Sequence, residues 1–282
     1  MKRILVLSFY YQPDLCAGSF RCTALVDELV KTGASVHVIT TTPNRYELFK
    51  VAADKFNKVG NVAIDRITIP SHNSGMIDQI KSFYAFYRGA RKLAAVNDYD
   101  LVVATSSRLF TAFLGAQVSR KKRIPLYLDV RDLFVDTICN ILSPALVWLV
   151  SPVLSVIERY TFNSAKKINL VSKGFLPYFE QRYSGIPLSF FTNGIDTEFI
   201  QASQVDDKSW VTKSTINILY AGNVGEGQGL HKIIPKMADR LNKRIIFTVI
   251  GGGGLIQKLR DAVAALGLSN VELVPPMGRE AL

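Results

Sequence analysis

The chain has 282 residues, a length that fits one large or two ordinary domains. Of these residues 48% are hydrophobic and 20% charged, a composition that excludes wholesale disorder. Its 34 Lys and Arg outnumber 23 Asp and Glu, so the net charge of +11 indicates an anionic partner such as nucleic acid, anionic lipid or a phosphorylated ligand. Three scattered cysteines exclude a disulfide framework and a zinc site, which fits a cytosolic protein.

Short apolar runs alternate with helix-like periodicities along the first part of the chain. The predicted elements are, in order, strand 4–7, helix 20–32, strand 35–41, strand 61–69, helix 77–96, strand 101–105, helix 109–120, strand 125–130, helix 152–163 and strand 168–171. Strands that alternate with helices of this length are typical of βαβ units and predict an α/β fold with a parallel sheet.

A second cycle of strands and helices follows the polar stretch 201–214. Its predicted elements are strand 216–220, helix 230–241, strand 244–250, helix 256–266 and strand 270–274. Because an open doubly wound lobe needs about five or six strands, this second lobe is expected to be incomplete. The sequence therefore predicts a lobe over 1–200, a linker over 201–214 and a partial lobe over 215–282.

Residues 137–157 form the longest uncharged stretch of the chain. The stretch is long enough to cross a bilayer core of about 30 Å, although Asn140, Pro144 and Pro152 interrupt it. Three interpretations stay open here: a transmembrane span, a buried pair of helices, or a hairpin that grazes a membrane.

Three turns between a strand and the next helix are rich in small residues, at 12–19, 220–230 and 251–254. Glycine lets the backbone approach a ligand closely, and N–H groups at a helix N-terminus bind anions such as a diphosphate. The last two turns follow successive strands, so they should share the carboxyl edge of one sheet, where open α/β sheets bind ligands. The first turn is equally well explained as a simple long loop.

A charged trio, Asp129, Arg131 and Asp132, is expected where strand 125–130 ends. Side chains of this kind can hold the hydroxyl groups of a sugar or act as an acid–base pair. The alternative is an Arg–Asp ion pair that fixes the conformation of the loop.

The segment 80–93 mixes aromatic and basic side chains at helical spacing, which suits contact with an anionic membrane. The candidate membrane-contacting residues are Phe83, Phe86, Tyr87, Arg88, Arg91 and Lys92. The basic run 120–123 would add electrostatic attraction. The alternative is a buried aromatic face with a solvated basic face. No nucleic-acid-binding motif is visible, so nucleic acid is not the expected partner.

Five motifs follow one another along the chain: FYYQPDLCAGS, LDVRDLF, FFTNGIDTEF, YAGNVGEGQGL and VIGGGGLIQKLR. In this order they resemble the retaining GT-B glycosyltransferases of glycosyltransferase family 4, and are most similar to the bacterial branch that builds O-antigen, capsule and exopolysaccharide. The resemblance covers essentially the whole chain. It implies two Rossmann-like lobes, a nucleotide-sugar donor, a lipid-linked glycan acceptor, no metal or cofactor, and a peripheral position on the cytoplasmic face of the membrane.

The resemblance also assigns residues. Arg131 and Asp132 lie where the family contacts the transferred sugar and are the candidate catalytic residues. The residues expected to contact the donor are Gly18, Ser19, Asn193, Gly222, Asn223, Gly225, Gln228, Gly229, Gly252 and Gly253. Many relatives have an Arg and a Lys in the loop where this chain has Asn223 and Gln228, so N–H groups are expected to neutralise most of the phosphate charge.

A larger departure is the family's E-x7-E element, which would lie beyond Val274 and is not found before Leu282. The chain is therefore expected to be truncated within its donor lobe and to transfer sugar weakly or not at all. Two alternatives remain: an inactive fragment that acts as a membrane-associated acceptor lobe, and a nucleotide-sugar epimerase.

Overall fold

The computed structural model describes residues 1–44, 53–70, 76–106, 109–133, 135–136, 143–195, 200, 215–241 and 244–277. The chain divides into two compact units, Met1–Ile195 and Asp196–Leu282. The segment expected to be a linker, 201–214, lies outside the described residues.

The first unit is built on a sheet of eight strands. The strands β1 to β8 span Arg3–Leu7, Ser35–Thr41, Phe56–Val59, Val62–Ile67, Leu101–Thr105, Leu126–Val130, Lys167–Leu170 and Leu188–Phe190. Their order in the sheet is β3-β4-β2-β1-β5-β6-β7-β8, and every pair is parallel except β3 with β4. The predicted parallel sheet is confirmed. Strand β3 was not predicted, because its four residues are all exposed and show no apolar alternation.

Within the described residues, five α-helices are assigned to the first unit. The helices α1 to α5 span Ala17–Lys31, Met76–Val96, Leu109–Lys122, Pro144–Asn163 and Leu176–Tyr183. Helix α5 was not predicted, because it has 8 residues, fewer than the window over which a helical period is recognised.

Alternate residues of β1 enter two different cores. Leu5 and Leu7 belong to the larger cluster of buried apolar side chains, and Ile4 and Val6 belong to a second cluster that includes Val26 of α1. Because successive strand residues point to opposite faces, both faces of the sheet are covered, which explains why its strands read as continuous apolar runs.

Helix α2 turns Phe83, Phe86 and Tyr87 inward, whereas Tyr84 is exposed. Phe86 is fully buried, and its ring centroid lies 5.3 Å from that of Phe9. Phe83 packs on Phe110, and the Tyr87 hydroxyl donates to Gln117. The expected membrane contact of Phe86 is therefore wrong, because that side chain is needed in the core. Arg88, Arg91 and Lys92 are exposed, as the alternative interpretation of this helix expects.

Helix α4 runs without interruption from Pro144 to Asn163 and includes Pro152. Within the described residues it is one helix that is long and apolar enough to cross a membrane, by length and composition alone. Only 22% of its most apolar window is buried, so the expectation of a buried helix pair is wrong for this segment. Residues 137–142 lie outside the described residues.

The buried side of α4 carries a carboxyl group. Glu158 is 4% exposed, and its Oε1 accepts hydrogen bonds from the hydroxyls of Tyr183, at 2.9 Å, and Tyr178. Burial raises the pKa of Glu158, and the two tyrosine hydrogen bonds oppose the shift. The folded chain therefore favours the protonated carboxyl, and this contribution is lost as pH rises through the raised pKa.

Replacing Glu158 by Gln keeps the acceptor oxygen for both tyrosines and removes the titration. We expect the stability of Glu158→Gln relative to the wild type to increase as pH rises from about 4 towards 7, because only the wild type buries a charge. Urea unfolding across this pH range measures the difference, with Glu180→Gln on the exposed side of α5 as the control. A difference that shrinks with rising pH would contradict the assignment.

The second unit contains a sheet of three parallel strands. The strands β9 to β11 span Ile216–Asn223, Ile245–Gly252 and Val271–Val274, in the order β11-β10-β9. Helices α6 (Leu230–Arg240) and α7 (Ile256–Ala265) follow β9 and β10. Leu259, Phe247 and Val249 are among the buried residues of its core. These elements agree with the predicted βα repeats.

Candidate functional site

In the first unit, two predicted loops meet at the carboxyl edge of the sheet. Gly18 lies in the first turn of α1, and a Cβ on it would stand 3.0 Å from Nη1 of Arg131, which follows β6. The N–H of Arg131 donates to Oγ of Ser106, just after β5, at 3.1 Å. The guanidinium of Arg131 therefore lies against a helix N-terminus, and its buried Nε has no hydrogen-bond partner among the described residues.

Asp132 is exposed beside Arg131. Partial desolvation by neighbouring atoms raises the pKa of its carboxyl, and the positive charge of Arg131 acts in the opposite direction. A carboxyl with a raised pKa at this edge can exchange a proton or accept hydrogen bonds from sugar hydroxyls.

Ser19 does not present its side chain to this surface. The helix begins earlier than expected, with Cys16 as its N-cap, so Ser19 lies inside the first turn rather than at the cap. The residue is fully buried, and its Oγ has no partner among the described residues. The side chain of Ser19 is therefore turned away from this surface, and the predicted contact of Ser19 with a donor is left to its backbone N–H in the first turn of α1.

A network that the sequence analysis missed lies below this edge. Arg21 of α1 binds Asp129 of β6 with two hydrogen bonds, from Nε at 2.7 Å and from Nη2 at 2.8 Å. Asn169 of β7 donates to the same carboxylate at 2.8 Å. Asp129 is 2% exposed, so its charge is held by these donors rather than by water. The Arg–Asp ion pair considered for the loop exists, but its cation is Arg21 rather than Arg131.

The same network fixes the segment after β8. Arg21 donates to the carbonyl oxygens of Phe191 and Thr192, both within 2.8 Å, and Oδ1 of Asn169 accepts from the N–H of Phe191. Asn193, a predicted donor-binding residue, follows directly and is exposed. The arrangement therefore positions the Asn193 backbone, whereas residues 196–199 of this motif lie outside the described residues.

In the second unit, the two predicted glycine turns lie side by side. Gly251 pairs with Gly222 and Gly252 with Asn223 in the parallel register of β10 and β9. A Cβ on Gly251 would stand 1.8 Å from the Gly222 carbonyl oxygen, and φ of Gly251 is +153°. Only glycine fits this approach, which brings both turns to one sheet edge as the sequence predicts.

The first of these turns is held by its own side chains. The Oε1 of Gln228 accepts from the Gly225 N–H at 3.1 Å and from Nδ2 of Asn223 at 3.2 Å. Gly229 has φ of +61° and is the N-cap of α6. The side-chain oxygen of Gln228 therefore organises the turn, so its predicted contact with a donor is left to the amide nitrogen.

The second turn interlocks with the first. The Val224 N–H donates to the Gly252 carbonyl at 2.9 Å, and the Leu255 N–H donates to the Val224 carbonyl at 3.0 Å. Gly253 has φ of +150° and its Cβ position would lie 2.5 Å from the Val224 oxygen. Two helices begin directly after these turns, so the first-turn N–H groups of α6 and α7 are presented at this edge. Such groups bind phosphate oxygens.

The described residues contain no group of three or more His, Cys, Asp and Glu side chains that could hold a metal ion. Among the described residues, the two edges present backbone N–H donors, the guanidinium of Arg131 and the carboxyl of Asp132, whose pKa is raised.

Comparison with known proteins decides the family. Residues 20–199 match the sequence model of Glycosyltransferase Family 4. The chain belongs to glycosyltransferase family 4. A curated relative of this family-4 chain, the putative colanic acid biosynthesis glycosyl transferase WcaI of Escherichia coli (strain K12), is 41% identical over 66 residues. That alignment covers 23% of this chain and 16% of WcaI, so the chain matches a small part of that relative's length.

Solved structures support the GT-B fold of this family-4 chain. WaaG, a glycosyltransferase involved in lipopolysaccharide biosynthesis, aligns with a TM-score of 0.65 at 15% identity, over 99% of this chain and 71% of WaaG. The UDP-GlcNAc 2-epimerase of Neisseria meningitidis, solved with UDP-GlcNAc bound, aligns with a TM-score of 0.58 at 16% identity, over 99% of this chain and 73% of the epimerase. At these identities the alignments establish the fold, and the fold is shared by a transferase and an epimerase.

Proposed function

We propose that this family-4 chain is a retaining glycosyltransferase that moves a sugar from a nucleotide-sugar donor to a lipid-linked glycan acceptor in bacterial surface-polysaccharide biosynthesis. The observation that carries the proposal is the pairing of two glycine turns at one sheet edge, with Gly251 opposite Gly222. Family membership and the partial similarity to WcaI supply the reaction class and the polysaccharide context.

The donor's diphosphate would be held by the second unit. The N–H groups at the starts of α6 and α7 offer positive dipole ends, and the glycines let the phosphates approach the backbone. Asn223 and Gln228 bring no charge to the turn, so backbone N–H groups would stabilise the leaving diphosphate, with no metal required. The epimerase neighbour holds UDP-GlcNAc on the same fold, which supports a nucleotide-sugar as ligand.

The acceptor and the reacting sugar would be served by the first unit. Arg131 offers a guanidinium whose buried Nε has no hydrogen-bond partner in the described part of the chain, and Asp132 offers a carboxyl whose pKa is raised. In this proposal Arg131 orients the anionic or hydroxylated substrate, and Asp132 exchanges a proton or binds a sugar hydroxyl. A lipid-linked acceptor would place the protein peripherally on the cytoplasmic face of the membrane.

Two measurements test the proposal on the 282-residue chain. Isothermal titration with UDP, GDP and ADP is expected to show binding of one nucleoside diphosphate, and acceptor-dependent release of that nucleotide from its sugar conjugate reports transfer. Asp132→Asn should keep nucleotide binding and reduce transfer by about 100-fold or more, because it removes a proton-exchanging group. Absence of binding by all three nucleotides would contradict the proposal.

An epimerase is the second candidate, because the epimerase neighbour shares the fold at a TM-score of 0.58. One assay distinguishes the epimerase from the transferase. Epimerisation of the nucleotide-sugar in the absence of any acceptor identifies an epimerase, whereas a donor that stays unchanged until acceptor is added identifies a transferase.

A further inference from the structure

The outer side of α4 carries a continuous apolar stripe. The members of this α4 stripe recur every three or four residues, so they share one helix face. They are Leu146, Leu149, Val153 and Val156, all exposed, followed by the half-buried Tyr160. Trp148 adds an indole that is 82% exposed near the start of the helix. Single exposed apolar residues are normal, but a stripe of this length on one helix indicates an interaction surface.

The four exposed members of the stripe, Leu146, Leu149, Val153 and Val156, are not needed to hold α4 on the first unit. The opposite side of the helix does this, because Leu154 and Phe162 are buried in apolar clusters and Glu158 binds two tyrosine hydroxyls. A helix that crossed a bilayer would have to withdraw these side chains and place Glu158 in lipid, which is costly. The helix can therefore lie along an apolar surface while its inner side stays packed.

Positively charged side chains lie near the C-terminal end of the α4 stripe, at Tyr160. The guanidinium of Arg120 stacks over the Tyr160 ring, 4.7 Å from its centroid. Beside this pair is a surface cavity of about 470 Å³, whose charged lining residues are Arg91, Arg120, Lys121 and Lys122. Lys122 is partly engaged by Asp98, at 3.6 Å, and by the Asn97 carbonyl, whereas Arg120 and Lys121 are exposed.

Helix α4 itself exposes positive rather than negative charge. Glu158 is the one acidic residue in the sequence of the helix and points inward, whereas Arg159 is exposed. An apolar stripe edged by cations matches the interface of a bilayer that contains anionic lipids, where apolar side chains reach the acyl boundary and cations meet headgroup phosphates. Tryptophan prefers the same depth.

We propose that the α4 stripe, with Arg120 and Lys121, docks on the surface of an anionic lipid bilayer, with α4 lying in the plane of the interface. Such docking would bring the protein to the membrane-bound acceptor of the proposed function. The inference therefore rests on that proposed function. A second copy of the chain is a poorer occupant, because it would bring together two basic faces of a chain with a net charge of +11. The contact lies on α4 rather than on the aromatic residues of α2.

Vesicle flotation of the full chain tests this surface, with vesicles of phosphatidylcholine alone and with phosphatidylglycerol added. The wild type should bind the anionic vesicles, and rising salt should weaken binding. Leu149→Glu/Val153→Glu should lower the affinity by about tenfold or more, and Arg120→Gln/Lys121→Gln should lower it for anionic vesicles. Both apolar sites are exposed, so folding should be retained and circular dichroism checks it.

The matched control is Ile80→Glu/Tyr84→Glu, which places the same charges on exposed apolar positions of α2. This control should keep binding within about twofold if α4 is the contact. In a Trp210→Phe chain Trp148 is the one tryptophan left, and its emission should shift to the blue on vesicles.

Failure of the wild type to float, or an equal loss in the α2 control, would overturn the proposal. Loss of a wild-type dimer in the α4 variants, measured by light scattering, would assign the stripe to a second copy instead. Nucleoside diphosphate binding is measured on the same proteins in parallel. If it persists while vesicle binding is absent, this surface is rejected and the glycosyltransferase proposal is untouched.

Discussion

Replacing Gly251 by alanine is expected to destabilise the second unit by about 2–6 kcal/mol, which combines the cost of a disfavoured backbone conformation with that of overpacking. The new Cβ would stand 1.8 Å from the Gly222 carbonyl oxygen, so the ends of β9 and β10 would have to separate. The φ of +153° adds strain that no side-chain rotation relieves. The loss approaches the whole stability of an ordinary domain.

Loss of the close contact between Gly251 and Gly222 should also affect nucleotide binding. Separation of Gly251 from Gly222 would also disturb the hydrogen bond from Val224 to Gly252, which holds the two glycine turns together. Nucleoside diphosphate binding by Gly251→Ala should therefore be lost even under conditions in which the first unit stays folded.

A neighbouring glycine supplies the control. A Cβ on Gly254 meets no atom within 4 Å, so Gly254→Ala should change stability by no more than about 0.5 kcal/mol. Hydrogen exchange of the β9 and β10 amides measures both variants locally. Equal protection of these amides in Gly251→Ala and Gly254→Ala would show that the close approach does not constrain the sheet.

The juxtaposition of the glycine turns could be predicted from the sequence because it depends on local signals. Each turn ends an apolar run and precedes a helical period, and parallel strands carry their carboxyl ends to one edge. The structure brings Gly18 close to Arg131 by the same geometry, since β1, β5 and β6 are neighbours in the sheet order. What these patterns supply is the position of a residue along its own strand or helix.

Contacts between residues on different strands and helices could not be predicted in this way. Arg21 and Asp129 are 108 residues apart, and Arg21 looks like any exposed cation on an amphipathic helix. The aromatic residues of α2 posed the opposite problem: their spacing defined one face of the helix but not whether lipid or protein covers it. The structure assigns that face to the core through Phe9 and Phe110.

Removal of the Arg21 side chain should be among the most costly changes in the first unit. Arg21→Met leaves the carboxylate of Asp129, whose side chain is 3% exposed, with Asn169 as its remaining described donor. Breaking a buried pair from one side costs about 3–5 kcal/mol, because the stranded charge keeps its desolvation penalty. The carbonyls of Phe191 and Thr192 would lose their donors as well, so the backbone that leads to Asn193 should loosen.

A double-mutant cycle isolates the pair from its surroundings. Arg21→Met/Asp129→Leu removes both charges, so its loss of stability should fall short of the sum of the single losses by about 2 kcal/mol or more. The control is Lys31→Met on the same helix, whose Nζ lies 2.7 Å from Glu28, the same distance as the Arg21–Asp129 contact. That pair is exposed and screened by water, so Lys31→Met should leave urea unfolding nearly unchanged. Additive losses in the cycle would mean that Arg21 acts on the segment after β8 alone, and that the charge of Asp129 is satisfied without it.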